Sequence, residues 1–283
     1  GLPLRETGPK RASLAYSKGS GGVQRLANAT LLPNIDLPMA TIRPLLAFLA
    51  LGTSLFAADA PTAGTPTVGE VIAKAQAAMV KNPDALRSIK SLHLEAKITD
   101  AEGKGAGSVI IQVAAPFKRR EFAYNASHSV ETITCANGLE GWTKNSELVT
   151  GGRSQLGVMR YEAVSTLKDM ATDELAFYAA PAAGAGKAEY KGEAEVNGRK
   201  VHSVEYSYRG GFKVTRHFDA KDFHLVASDM PGQGGKVQRQ VVDESTWVEG
   251  VSFTKKETIL LDGDLVNFRV AMAGARDNAD VEA

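Results

Sequence analysis

His217-Phe-Asp219, with His224 five positions on, is the grouping in this chain whose residue types could hold a metal. A His-x-Asp pair plus a second His can supply the facial triad of a ferrous centre. The spacing points elsewhere. His217 and Asp219 share one strand face, while His224 lies beyond the turn Ala220-Lys221-Asp222, so the three do not converge. No metal and no cofactor is expected. Ala182-Ala-Gly-Ala-Gly-Lys187 has only the outline of a phosphate loop, because Pro181 stands where its first glycine is needed and Ala188 where it needs Ser or Thr. Beyond residue 57 there is no H-E-x-x-H, C-x-x-C or G-x-S-x-G. With no nucleophile, base and ligand set in view, the expectation is a protein that is not an enzyme.

Two groupings remain that could bind rather than react. Lys118-Arg119-Arg120 enters a strand, where Arg119 and Arg120 face opposite ways, so one can point to a sheltered side and anchor a polar head group. Three charges are too few for strong nucleic-acid binding. The aromatics are the second grouping: Phe122 and Tyr124 alternate on one face, as do Phe212 and Phe218, with Trp142, Phe223 and Phe268 on neighbouring segments. They read either as a packed core or as the lining of an apolar cavity that helices leave unfilled. Cys135, the single cysteine, sits in the alternating run Thr132-Ile-Thr-Cys-Ala and reads as a small buried hydrophobe.

The elements that must position these residues begin after an export signal. Met39 to Ala57 has Arg43 as its positive flank, an apolar run from Pro44 to Phe56 too short to span a bilayer, and small residues at its end. Translation is expected to start at Met39, which makes residues 1–38 a non-native or disordered extension, 39–57 the signal peptide, 58–66 a linker and 67–283 one domain. Removing residues 1–57 leaves 27 basic against 30 acidic side chains, so the basic balance of the whole chain belongs to the part removed. No nucleic-acid partner is implied. No second apolar run is long enough for a transmembrane helix, and the lone cysteine is far from any lipobox position. The expected location is the periplasm, as a soluble protein without a lipid anchor.

Thr67 with Glu70 forms a capping-box pattern ahead of Val68, Val71, Ile72, Ala75 and Met79 at helical spacing, and Asn82-Pro83 closes that helix. From Ile89 the period becomes two, with turn residues between short segments. A second helical repeat spans about 157–178 through Val158, Tyr161, Val164, Leu167, Met170 and Leu175, ended by Pro181. Strands then resume to the end, with Asn197-Gly198 the clearest hairpin turn. The pattern is mainly antiparallel β, about eleven strands and two covering helical segments on the concave side. There is no βαβ alternation.

Leu86-x-x-Ile89-x-x-Leu92, Gly105-x-Gly107, Ala115-Pro116-Phe-Lys-Arg-Arg-Glu-Phe122 and Cys135-Ala-Asn-Gly138-Leu-Glu-Gly-Trp142 together resemble the periplasmic lipoprotein-carrier (LolA-like) family, best over residues 67–149. Val196-Asn-Gly198, Arg216-His-Phe-Asp219 and Leu225 are similar to the later strands of such proteins. Carriers of the family have an Arg directly before the proline, where this chain has Ala115, and an Asp in the turn where it has Asn137. The resemblance implies an open half-barrel whose helices lie as a lid over an apolar cavity, and carriage or sensing of acyl chains without catalysis. The partner so implied is a lipid or acylated protein held by Val109, Ile111, Val113, Phe122, Tyr124, Trp142, Phe212, Phe218 and Phe268. Arg119 or Arg120 would meet the head group, and Val158, Tyr161, Val164 and Leu167 would form the lid helix. The alternative is an interaction module on the same fold that docks an envelope protein.

Overall fold

The computed structural model describes residues 64–82, 84–100, 102–124, 130–149, 151–232, 235–262 and 264–277, with the side chains of 118–124, 264–269 and 273–277 outside the described set. Residues 1–63, which include the expected signal segment and most of the linker, lie outside it as well.

Helix α1 (Val68–Ala78) starts as its sequence dictates. The Glu70 amide donates to Thr67 Oγ1 at 3.2 Å and the Thr67 amide to Glu70 Oε2 at 2.7 Å, a reciprocal cap that occupies two free donors of the first turn. Its apolar stripe, Val71, Ile72 and Ala75, is buried. A single turn, α2 (Ala85–Ser88), leads into strands β1 (Leu92–Thr99), β2 (Gly105–Ala114), β3 (Phe117–Tyr124), β4 (Val130–Ala136), β5 (Gly141–Glu147) and β6 (Ser154–Val158). Helix α3 (Tyr161–Ala176) follows. Strands β7 (Gly186–Val196), β8 (Arg199–Tyr208), β9 (Lys213–Asp219), β10 (Leu225–Pro231), β11 (Val237–Val248), β12 (Val251–Leu261) and β13 (Asp264–Asp277) complete the described chain.

All thirteen strands form one antiparallel sheet in the order β6-β5-β4-β3-β2-β1-β13-β12-β11-β10-β9-β8-β7. The chain therefore starts in the middle of the sheet and meanders to one edge. It crosses to the opposite edge through α3, then meanders back until β13 pairs with β1. The sheet is open, since β6 and β7 are its two ends and do not pair with each other.

Both helices lie on one face. Under α1, Val204, Tyr206, Val214 and Phe218 close a core with Val71, Ile72 and Ala75. Under α3, Leu92 and Val113 meet Ala171 and Phe177, with Met79 and Val251 completing the cluster. Tyr178 packs against both clusters and joins them.

The strand total and one helix boundary differ from the sequence expectation. Thirteen strands replace about eleven, and Val158 is not in a lid helix: it ends β6, opposite Trp142. The helical spacing of Tyr161 and Val164 extends back to Val158 in the sequence. The backbone there instead pairs with β5, and the helix starts at Arg160, a cap with no side-chain hydrogen bond. No helix among the described residues is long and apolar enough to cross a membrane.

Candidate functional site

Strands β8 and β9 alternate cleanly. Val204, Tyr206 and Tyr208 turn to the helices together with Val214 and Phe218, and on that same apolar parity β9 carries Arg216. Its guanidinium is buried and grips one carboxylate of α3: Nη1 donates to Asp173 Oδ1 at 3.0 Å and Nη2 to Oδ2. The Tyr208 hydroxyl donates to the same Oδ1 at 2.8 Å. Tyr178 and Tyr206 bracket the guanidinium with ring centroids 5.1 and 4.8 Å from Cζ, within the range of a cation–π contact on each side. Burial alone lowers the Arg216 pKa, but the Asp173 charge and hydrogen bonds outweigh it and raise it above its usual value. Burial likewise raises the phenols of Tyr206 and Tyr208, so both remain donors.

The pair is a fastening between helix and sheet, and neighbours reinforce it. Thr166 Oγ1 donates to the Gly210 carbonyl at 3.1 Å. Gly210 must be glycine, because a Cβ there would sit 2.4 Å from Ser165 Oγ and 2.5 Å from Asp169 Oδ2. Asp169, whose carboxyl is pushed up by burial, accepts weakly from the Phe212 amide at 3.4 Å. At its C-terminus α3 ends on two non-glycine residues in the left-handed region, Phe177 (φ 45°) and Tyr178 (φ 69°). Side chains of other elements hold this turn: Gln76 Nε2 donates to the Phe177 carbonyl at 3.0 Å and Tyr206 to the Tyr178 carbonyl at 2.9 Å. Such strain persists where surroundings over-determine it.

Beside that turn lies a small depression of about 20 Å3, lined by Ala75, Met79, Tyr178, His224, Leu225, Val242, Ser245, Ser252, Phe253 and Thr254. It is far smaller than ligand sites, which run from roughly 300 to 1,000 Å3, so the helices fill this part of the inner face. Chain pairing near Met79 keeps its rim in place, as the Ser252 amide donates to the Met79 carbonyl and the Lys81 amide to that of Gly250.

Phe218 and Phe212 are buried under α1, Val113 under α3, and Val109 in a separate cluster with Ile98 and Ala106 that Ile111 also touches. Val164 is buried in α3 and Leu167 half-buried. Tyr161 belongs to the same helix but is 75% exposed. Trp142 belongs to the other face: a Cβ on Gly141 would meet Met159 and Val164 of the helix side, so the next residue turns away, and Trp142 is 37% exposed. The side chains of Arg119, Arg120, Phe122, Tyr124 and Phe268 lie outside the described residues. In backbone register Phe122 pairs with Val109 and Arg120 with Ile111.

Asp173, Arg216, Tyr206 and Tyr208 were absent from the anticipated set. One signal was available: Arg216 occupies an apolar parity between Val214 and Phe218, where a charge needs a buried partner.

On the opposite face, Ser203 Oγ lies 2.9 Å from His217 Nδ1, His217 Nε2 lies 3.1 Å from Asp229 Oδ2, and Arg239 holds Asp229 through two further bonds. Both ring nitrogens of His217 are thus engaged within the sheet, leaving none to share with His224. The serine–histidine–aspartate order resembles a nucleophile relay, yet Ser203, whose hydroxyl a substrate must reach, is buried at 5% exposure. Burial pushes the Asp229 carboxyl up, but Arg239 and His217 overcome it and hold it at about 2. A depressed carboxyl contributes stability that is complete above the unfolded value near pH 4 and is lost as pH falls toward 2. Arg239→Gln is therefore expected to raise the Asp229 pKa and shift the acid limb of a stability–pH curve upward by about one unit. Urea midpoints between pH 2 and 6 that superimpose for the two proteins would contradict this.

These features define an open antiparallel half-barrel with two helices fastened over its inner face. No family model matches the sequence, and no curated protein matches it. Among solved structures, the chain is similar to a DUF1329 family protein from Desulfovibrio piger, with 11% identity and a TM-score of 0.46 over 77% of this chain and 96% of that one. It is also similar to a LolA superfamily protein from Nitrosomonas europaea, with 10% identity and a TM-score of 0.48 over 77% and 96% of the two chains.

Proposed function

We propose that this chain is an exported, non-catalytic binding protein that takes the apolar part of a lipid or acylated protein between its helices and the inner face of the sheet. The supporting observation is the continuous apolar seam under the two helices. It runs from Leu92 and Val113 to Val204 and Phe218, is joined at Tyr178, and borders the small Met79–Phe253 depression. The arrangement described above is the closed one, in which α1 and α3 occupy the space a chain would take. Release of the Asp173–Arg216 fastening admits the ligand, and the segment from Met39 to Ala57 directs the protein to the periplasm.

The test is uptake of a hydrophobic fluorescent naphthylamine probe by the purified protein, with palmitate as competitor. Saturable enhancement, reversed by palmitate and reduced in Met79→Trp, is expected. Absence of displacement at any palmitate concentration would sink the proposal. The degree to which the helices fill the face favours one second reading, an interaction module that docks an envelope protein. On that reading the probe is not taken up and a stable protein complex forms.

A further inference from the structure

The two ends of the sheet differ in kind. The β7 edge carries Lys187, Glu189, Lys191, Glu193 and Glu195, and its register breaks between Tyr190 and Gly192. Charges and a bulge of this sort keep an edge strand from pairing with another. The β6 edge has neither device: Ser154-Gln-Leu-Gly-Val158 is uncharged, unbroken and exposed along its whole length, with Leu156 at 73% and Val158 at 89%.

Its backbone parity is fixed by its own hairpin. The Glu147 amide donates to the Arg153 carbonyl at 2.9 Å and the Met159 amide to the Gly141 carbonyl at 2.8 Å, so the odd positions from 153 to 159 bond inward to β5. The even positions Ser154, Leu156 and Val158 consequently direct their N–H and C=O groups away from the sheet. From these positions we infer that β6 pairs with β6 of a second copy of this chain, antiparallel, on a two-fold axis through Leu156.

That axis makes Leu156 and its copy a hydrogen-bonded pair and sets Ser154 opposite Val158 on both sides, so every outward group of the three residues finds a partner. The charges nearby are compatible. Arg153 falls opposite Met159 and Arg160 opposite Gly152, so neither arginine meets itself. Val158 lies opposite exposed Trp142 of β5 and Leu156 opposite Lys144, so pairing brings the Leu156, Val158 and Trp142 side chains of two molecules onto one continuous surface. The inference holds whatever the inner face binds.

Cysteine substitution tests the axis itself, because Cα atoms of a hydrogen-bonded antiparallel pair are about 5.5 Å apart, inside the span of a disulfide. Leu156→Cys is expected to oxidise to a covalent dimer on a non-reducing gel. Ser154→Cys is expected to remain monomeric, since its two copies would be about 13 Å apart along the strands. The native Cys135 is buried and serves as the internal control. Sedimentation of the unaltered protein should show a dimer whose dissociation constant Leu156→Lys raises at least about tenfold, as like charges then face each other. A monomer at every concentration, a dimer indifferent to Leu156→Lys, or equal cross-linking of the two cysteine variants would each overturn the inference. So would a monomer that instead captures an extended apolar peptide along β6.

Discussion

Asp173→Ala is expected to destabilise the protein by about 3–5 kcal/mol, the range for removing one partner of a buried ion pair. Arg216 would keep its charge among Tyr178, Tyr206 and Tyr208 with no carboxylate to answer it, and the Tyr208 hydroxyl would lose its acceptor. The double variant Asp173→Leu with Arg216→Met should recover most of the loss, because replacing both charges removes their desolvation as well as their attraction. Urea unfolding with an unchanged slope provides the comparison. A single variant within about 1 kcal/mol of the parent would mean that water reaches the pair. The same measurement bears on the lid: if the pair fastens α3, the single variant takes up the apolar probe faster than the parent protein.

Phe218→Ala is the second large effect, expected at about 3–5 kcal/mol. Phe218 is fully buried and meets Tyr178 edge to face, with centroids 5.1 Å apart and planes at 65°. Its removal takes away the ring's apolar burial, that aromatic contact, and the support of the turn that ends α3. The cavity left behind is apolar and adjoins Tyr178, so it should stay dry and admit a small aromatic guest. Thermal unfolding with and without benzene would register both: a lowered Tm, partly restored by the guest. A loss under about 1 kcal/mol would show that α1 collapses into the gap.

Much of the architecture was legible because it is written locally. Thr67 and Glu70 announce α1 by reciprocal capping, and both bonds form. Asn197-Gly198 announces its hairpin because both positions need positive φ, and they take 51° and 74°. Mainly antiparallel strands with helices on one side followed from the change of period after Ile89. What stayed hidden is non-local. Asp173 looks like any helix-surface carboxylate until Arg216, 43 positions on, is placed beneath it. The C-terminus of α3 hides for a related reason: Phe177 carries no glycine signal, and its left-handed turn is imposed by Gln76 and Tyr206 from other elements. The misplaced start of α3 arose where local signals were weakest, at Gly157 and Val158, whose strand conformation depends on pairing with β5.

The meeting of β1 with β13 in the middle of the sheet has a kinetic consequence. Leu92 pairs with Asp277 and Thr99 with Arg269, so the first strand gains one of its two neighbours only when the last has been made. Closing so long a loop must precede the reward of the contacts it brings, which places folding in the slow, millisecond-to-second regime of non-local β proteins. The β1–β6 meander pairs only strands adjacent in sequence, whereas the continuous sheet needs β13 beside β1. The molecule thus stays incompletely folded until its C-terminal strands are available.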